Sequence, residues 1–206
     1  YINRPYGDVW HILRKLVYEK HPYQWPTIGL ELQHVQDATL TDVENFFYKY
    51  YRPNNAILTI SGGISADNAL QLAKKWFGDI PSGEPFNRNI AMEPEQQAAK
   101  FQHVKKDVPV NVIYKAWKMP GRIEPLYYAT NLLSDVLGLG ESSRLQHALK
   151  KETKLFTDIA AYITGSIDTG MFIITGKLAE GITYEQAEQG IQQELDKTKQ
   201  APINDA

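Results

Sequence analysis

The sequence of 206 residues contains no cysteine, so it holds neither a disulfide framework nor a thiolate site. Basic residues are not in excess: the formal net charge is −2 and the isoelectric point is near 6.2. Nothing in this balance favours a nucleic acid or an anionic membrane as a partner. Because no run of about 18 apolar residues occurs, we predict no membrane span.

Closely spaced metal ligands are also missing. No two of the five histidines lie four residues apart, so no helix can present a two-histidine metal face. The nearest alternative is Glu31-x-x-His34-x-x-Asp37, but carboxylate-bridged sites need two such Glu-x-x-His pairs. We therefore predict no catalytic residue and no metal ligand in this chain. The histidines are His11, His21, His34, His103 and His147.

The residues that are present describe an ordinary globular chain, with 43% apolar and 22% charged residues, organised as one large domain or two modest ones. Mixed order of helices and strands, with a hairpin-like connection at residues 165–170, favours an α+β fold with mixed or antiparallel sheets packed against helices. Apolar spacing predicts helices over residues 6–18, 41–52, 65–77, 125–137, 143–151 and from 183 onward, and strands over 56–61, 110–117, 156–163 and 170–178.

Local signals set several boundaries. Thr41 with Glu44, and Thr183 with Gln186, have the pattern of a capping box, while Ser65 is expected to cap a helix alone. Residues 82–100 are rich in proline and polar side chains and lack apolar periodicity. We interpret them as a linker between the C-terminal part of a first lobe, residues 1–81, and the first portion of a second lobe, residues 101–206.

Three groups of residues suggest chemistry but have simpler interpretations. The aromatic run at 46–51 lacks interleaved basic residues, so it predicts core packing rather than base stacking. Ser142 and Ser143 lack the Gly-x-Ser-x-Gly pattern of a nucleophile and are expected to cap a helix after a glycine turn. The solvated face of the last helix is expected to carry Glu185, Glu188 and Glu194.

Three motifs occur in fixed order along the chain. They are residues 51–56 (Tyr-Arg-Pro-Asn-Asn-Ala), 76–81 (Trp-Phe-Gly-Asp-Ile-Pro) and 137–145 (Leu-Gly-Leu-Gly-Glu-Ser-Ser-Arg-Leu). Together they resemble the non-catalytic stretch, including the so-called inactive domain, of the pitrilysin/insulinase family of zinc metallopeptidases, the inverzincins, in a bacterial-type member. The metal motif of that family, His-x-x-Glu-His, is absent from this chain. Gly62-Gly63 stands where the family usually has Gly-Asp.

The resemblance implies that this chain is a segment of a longer peptidase. Residues 3–7 look like the stretch just downstream of the family's third zinc ligand, so all the ligands are expected upstream of this chain. In the parent, a zinc-bound water would attack the peptide carbonyl. The segment itself is expected to form a wall of the chamber that receives peptides or small unfolded polypeptides. The chain begins with neither a methionine nor a signal peptide, so it looks like an excised segment of a longer protein. Bacterial members of the family are often exported, and the resemblance therefore favours a periplasmic or exported protein over a cytoplasmic one.

One departure from the family concerns a substrate-facing pair. Members commonly carry an arginine at the end of a helix and a tyrosine seven residues later, which help to hold substrate near the zinc. Lys150 and Thr157 occupy these positions here. Lysine lacks the bidentate fork and threonine lacks the phenol, so the pair is degenerate. Either another lobe or subunit supplies the pair, or the parent is inactive.

Other classes of function remain open. The chain could belong to a catalytically dead scaffold homologue or to a peptide-binding subunit that partners an active peptidase. A third alternative is a stand-alone module that binds extended peptides at an exposed sheet edge. The expected partners are accordingly peptides, the remaining lobes of the parent or a homologous subunit, and no nucleic acid.

Overall fold

The computed structural model describes residues 4–200; residues 1–3 and 201–206, and with them Asn3 of the opening segment, lie outside the described part. In chain order the elements are α1 (Val9–Val17), a first 3₁₀ turn (Pro22–Gln24), α2 (Leu32–Asp37), α3 (Leu40–Tyr50), a second 3₁₀ turn (Pro53–Asn55), α4 (Ala66–Phe77), β1 (Val112–Met119), α5 (Tyr127–Gly138), a π-helix (Gln146–Glu152), β2 (Phe156–Ile163), β3 (Gly170–Leu178) and α6 (Tyr184–Gln200). None of these helices is long and apolar enough to cross a bilayer.

The chain divides into two compact units. Residues 26–91 form one, which we call the helical unit. The described residues before 26 and after 91 form the other, which we call the sheet unit. These two units do not coincide with the predicted lobes, residues 1–81 and 101–206 of the parent, and those lobe boundaries stay a prediction.

The sheet unit is built on three antiparallel strands in the order β1-β3-β2. β3 lies in the middle and pairs with β1 from Val112 opposite Lys177 to Met119 opposite Gly170. β2 pairs with the other edge of β3 and has a bulge between Phe156 and Asp158. The predicted α+β class is confirmed, and so are the predicted bounds of β2 and β3.

Both faces of β3 are buried because alternate side chains point to opposite sides of the sheet. Phe172 and Ile174 join a core cluster formed with α5, the π-helix and α6. Met171 and Ile173 join a second cluster on the opposite side. Leu13 and Val17, four residues apart on the same face of α1, cover that second side together with Tyr18.

The helical unit has no comparable core, because none of its residues is buried. The strand predicted over residues 56–61 is wrong for this chain: the backbone there is extended, but no strand among the described residues pairs with it. The predicted packing of the aromatic run is also wrong, since Phe46 and Phe47 are 57% and 51% exposed. Phe46 contacts the ring of Tyr50 at the end of α3, and Phe47 stacks on Tyr51, the residue that follows α3.

The capping predictions have mixed outcomes. Ser65 and Thr183 cap their helices as predicted, and Gln186 completes the box with Thr183. The box predicted at Thr41 is wrong, because Thr39 and Asp42 form it: the backbone N–H of each donates to the side chain of the other, over 2.9 and 3.2 Å. Two overlapping Thr-x-x-acid patterns occur here, and the helix uses the earlier one.

Two further side chains differ from their predicted roles. Glu194 is 8% exposed and pairs with Lys197, so it is not part of the solvated face of α6. Ser143 is buried, and its hydroxyl donates to the carbonyl of Gly140 over 2.8 Å. It therefore closes the glycine turn rather than capping the helix.

Candidate functional site

Lys150 lies on the π-helix and faces the glycine turn. Its Nζ donates to Oε1 of Glu141 over 3.2 Å. The Nζ of Lys151 donates to the backbone carbonyl of Glu141 over 2.8 Å and forms an ion pair with Oε2 of Glu141 at 3.2 Å. Hydrogen bonds from Lys150 and then Lys151 lower the pKa of Glu141 below its ordinary value. Lys150 is thus engaged in a local, partly exposed ion pair.

Thr157 lies at the bulge of β2, where it is exposed to solvent. Its hydroxyl donates to the carbonyl of Lys177 on β3 over 3.3 Å. Neither a hydrogen bond nor an ion pair joins Thr157 to Lys150 within the described residues. Both side chains instead bind groups next to them, and their role as a substrate-facing pair stays a prediction.

A strained turn connects the two positions. Lys154 has a φ of +54°, in the left-handed region that glycine adopts more readily than other residues. The N–H groups of Thr153 and Leu155 donate back to the carbonyls of Ala148 and Leu149, over 3.0 and 2.9 Å. These hydrogen bonds close the end of the π-helix and direct the chain into β2. The turn therefore fixes the position of Thr157 near the start of β2.

The third sequence motif has a structural explanation. A Cβ on Gly138 would lie 1.9 Å from the backbone nitrogen of Ala161, so only glycine lets the end of α5 approach β2 this closely. Gly140 has a φ of +78° in the turn that follows. Arg144 then donates to the hydroxyl of Thr198 on α6 over 3.2 Å. The motif therefore joins α5, β2 and α6.

The first motif holds together the helical unit. Asn54 binds the chain after the second motif: its Oδ1 accepts from the N–H of Gly83 at 2.8 Å, and its Nδ2 donates to the carbonyl of Glu84 at 3.2 Å. Asn55 donates to the carbonyl of Tyr50 over 2.9 Å at the end of α3. The asparagine pair therefore attaches this motif to the end of α3 and to the chain after the second motif.

The structure also contains a buried polar cluster that sequence reasoning missed. The Glu93 carboxylate is fully shielded from solvent and accepts the backbone N–H groups of Glu19, Lys20 and His21 at 3.0, 3.1 and 2.9 Å. Lys118 on β1 donates to it over 2.8 Å. Burial acts to raise the pKa of Glu93, but these hydrogen bonds outweigh it and lower the pKa to about 2.

His21 lies beside this cluster, and its ring is 2% exposed. Nδ1 accepts the backbone N–H of Tyr23 over 3.1 Å, so Nε2 carries the proton and donates to Asp168, also at 3.1 Å. Burial raises the pKa of the neighbouring Tyr18 to about 12, and its hydroxyl donates to the carbonyl of Thr169. Both ring nitrogens of His21 are therefore engaged in hydrogen bonds within the sheet unit.

The described residues do not fit a zinc ion. Within residues 4–200, no three His, Asp or Glu side chains come together as a metal ligand set would. His34 and Asp37 lie on the short, exposed helix α2, and Glu31 is the residue just before that helix. No metal step is therefore assigned to this chain.

The comparison with known proteins settles the family. The sequence profile of the peptidase M16 inactive domain matches residues 37–206. This chain belongs to that family. The "Zinc protease PqqE" of Helicobacter pylori is 28% identical over 207 residues, which is 99% of this chain and 46% of that protein. The crystal structure of a protease from Helicobacter pylori has a TM-score of 0.85 at 28% identity, covering 98% of this chain and 50% of the other.

Membership of the M16 inactive-domain family confirms the resemblance to zinc metallopeptidases. A Schizosaccharomyces pombe protein named "Probable mitochondrial-processing peptidase subunit beta" is 22% identical over 171 residues, covering 78% of this chain and 37% of that protein. The chain thus spans about half the length or less of the relatives it matches.

Proposed function

We propose that this chain is the non-catalytic segment of a zinc-dependent metalloendopeptidase and forms a wall of its peptide chamber. The observation that carries the proposal is the similarity to a zinc protease over 99% of this chain but only 46% of that protein. The M16 inactive domain accounts for most of the chain, and the described residues offer no metal ligand set. Zinc and the hydrolytic groups are accordingly assigned to the rest of the parent, outside residues 1–206.

The sheet unit suits the role of a rigid wall. Its central strand is covered on both faces, and the Glu93 carboxylate attaches the loop after α1 to β1 through Lys118. A chamber wall needs fixed geometry more than reactive groups, since binding a peptide in one pose depends on preorganised surfaces. In this proposal residues 1–81 complete a first lobe, residues 82–100 connect, and residues 101–206 begin a second lobe.

The test compares this chain with its full-length parent. This chain alone is expected to hold no stoichiometric zinc after dialysis and to cleave no unstructured peptide. The parent is expected to hold about one zinc per chain and to cleave that peptide, with cleavage abolished by a chelator. A parent that neither holds zinc nor cleaves peptide would overturn the proposal, and so would one tightly held zinc in this chain alone.

A second candidate function is a scaffold or peptide-binding subunit beside an active peptidase. The similarity to a protein named as a mitochondrial-processing peptidase subunit favours it, because a subunit works together with another chain. The same assay separates the two functions. A parent without zinc that increases cleavage by a homologous peptidase would support the subunit, and an active parent would support the first proposal.

A further inference from the structure

The helical unit contains an open cavity of about 490 Å³ beside the end of α3. This volume lies within the range of small-ligand pockets, about 300–1,000 Å³. One side of the cavity is lined by Tyr48 and Lys49, from the last turn of α3, and by Arg52 just after it. Residues 82–87, which follow the second motif, line the other side. The whole cavity therefore lies within one compact unit.

Specific contacts hold the two sides of the cavity together. Asn54 binds the backbone of the second side through both atoms of its amide, 29 and 30 residues away in sequence. A Cβ on Gly83 would lie 2.7 Å from Cγ of Arg52, so a larger residue would displace the arginine side chain. The ring of Phe86 packs edge-on against Tyr50, with the ring centres 5.4 Å apart. The shape of the cavity thus depends on the glycine and the asparagine that follow from the first two motifs.

Arg52 is held in one orientation but keeps most of its hydrogen-bonding capacity. Its Nε donates to the carbonyl of Tyr48 over 2.7 Å, and its guanidinium carbon lies 5.3 Å from the centre of the Tyr48 ring. Within residues 4–200, its two Nη groups make neither a hydrogen bond nor an ion pair. A guanidinium offers a planar fork of donors that matches the two oxygens of a carboxylate. Because the side chain is already fixed, binding such a group costs little additional side-chain entropy.

The charges around the cavity favour a monoanion. Lys49 and Arg52 supply two positive charges and Glu84 supplies one negative charge, and none of the three forms an ion pair in the part of the chain that the structure describes. A carboxylate neutralises the remaining charge, whereas a dianionic phosphate would add negative charge beside Glu84. Tyr48 and Phe86 also line the cavity and offer apolar surface to the hydrocarbon next to a carboxylate.

We propose that this cavity binds a peptide through a carboxylate, either at the peptide's C-terminus or on an Asp or Glu side chain, with Arg52 as the bidentate donor and Lys49 as the second cation. The backbone next to the cavity favours a peptide over a free organic acid, because the backbone groups of residues 85–87 make no hydrogen bond within residues 4–200 and a peptide can pair with them. The proposal requires that the parent meets peptides, but it does not require that the parent cleaves them.

The test measures the binding of small probes to the full-length parent by ligand-observed NMR titration. N-acetyl-leucine is expected to bind at least about tenfold more tightly than its amide, which keeps the apolar side chain but lacks the charge. Acetate and inorganic phosphate, at the same ionic strength, are expected to bind more weakly than N-acetyl-leucine. N-acetylglutamate α-amide carries its carboxylate on the side chain, so tighter binding of this probe assigns the cavity to Asp or Glu side chains, and weaker binding assigns it to chain ends. Equal binding of N-acetyl-leucine and its amide, or tighter binding of acetate or phosphate, would overturn the proposal.

Variants of the parent locate the binding. Arg52→Lys keeps the charge but loses the fork, and it should weaken the binding of N-acetyl-leucine at least about fivefold. Lys49→Gln should weaken it at least about threefold, and it removes no hydrogen bond, so this variant does not depend on the bond from Arg52 to Tyr48. Lys75→Gln is the matched control: both lysines lie 5.2 Å from the centre of a neighbouring aromatic ring, but Lys75 lies outside the cavity.

Unchanged affinity in either cavity variant, or an equal loss in Lys75→Gln, would contradict the assignment of the site. The melting temperature of each variant is measured alongside, so that a loss of binding is read only from folded protein. Zinc content and peptide cleavage of the same parent are measured separately, so either proposal can fail without the other.

Discussion

At the scale of single residues, the strongest electrostatic arrangement surrounds Glu93. Its carboxylate accepts three consecutive backbone N–H groups in the loop after α1 and the ammonium of Lys118, which also donates to the carbonyl of Pro94. A buried carboxylate is favourable only when its lone pairs are satisfied in this way. The stretch around Glu93 is polar and rich in proline, so its sequence predicted a linker. The hydrogen-bond partners of Glu93 lie 25 and more than 70 residues away in sequence, and apolar periodicity reports only local contacts.

Glu93→Gln is expected to lower the free energy of unfolding by about 2–3 kcal/mol at pH 7, because an amide cannot accept all four donors and leaves Lys118 without its counter-charge. Glu95→Gln, an exposed neighbour, is the control and should change little. Chemical denaturation of the three proteins gives the values. Equal stability of both variants would mean that the carboxylate contributes no net stabilisation.

The same residue predicts a pH dependence. The pKa of Glu93 in the folded chain is about 2, below the ordinary value of 4.5, so its stabilisation is present above the unfolded pKa and is lost as the pH falls through the folded one. The difference in unfolding free energy between the unsubstituted chain and Glu93→Gln should therefore shrink between about pH 5 and about pH 2. A difference that stays constant over this window would contradict the assignment.

Lys150 and Thr157 give a functional prediction. Lys150 binds Glu141, and Thr157 binds the carbonyl of Lys177, so neither is held ready for a substrate. In the parent, Lys150→Ala and Thr157→Ala should each leave kcat/KM within about threefold, whereas a lost transition-state contact costs about 100-fold or more. Lys151→Ala, which removes the other lysine bound to Glu141, is the control. A 100-fold loss for Lys150→Ala or Thr157→Ala, with an unchanged melting temperature, would show that this pair does hold the reacting peptide.

At the scale of elements, the sequence predicted helix caps and strand bounds correctly where the interactions are local or where the strand pairs with another strand of this chain. β2 and β3 have the predicted bounds because each has a paired neighbour, and Ser65 and Thr183 bind amides three residues away. Residues 56–61 carry an apolar signal like those strands but pair with no other strand in residues 4–200, so propensity alone forms no strand. Tertiary pairing, which the sequence pattern does not contain, decides the difference.

The turn into β2 yields a prediction about backbone strain. A non-glycine residue in the left-handed region costs about 1–2 kcal/mol, and a new glycine adds about 0.4–1 kcal/mol of unfolded-state entropy. Lys154→Gly should therefore stabilise the chain by about 0.5–1 kcal/mol. Lys154→Ala keeps the Cβ and should be close to neutral in urea denaturation. Equal gains from glycine and alanine would show that φ at this position is not the cause.

At the scale of the whole molecule, stability is distributed unevenly between the two units. The sheet unit has two core clusters, while no residue between 26 and 91 is buried. Residues 92–106, which we call the strap, have no helix or strand, yet they are bound to the sheet unit at several points. These include Glu93, the Lys100–Glu19 ion pair at 2.5 Å and the Lys106–Asp8 ion pair at 2.5 Å. Lack of secondary structure and lack of attachment are therefore different properties in this chain.

This difference predicts the order of proteolysis. Trypsin should cut the helical unit first, because local opening there exposes little new apolar surface, and should cut at Lys100 in the strap only later. Glu93→Gln should accelerate the cut at Lys100 by at least about fivefold while leaving the rates within residues 26–91 unchanged, because only the attachment of the strap is weakened. Glu95→Gln again serves as the control, and mass mapping over time follows each cut. If Lys100 is cut as early as the helical unit in the unsubstituted chain, then the Glu93 carboxylate does not hold the strap in solution, and the stability assigned to this buried cluster must come from the packing of α1 on β3 instead.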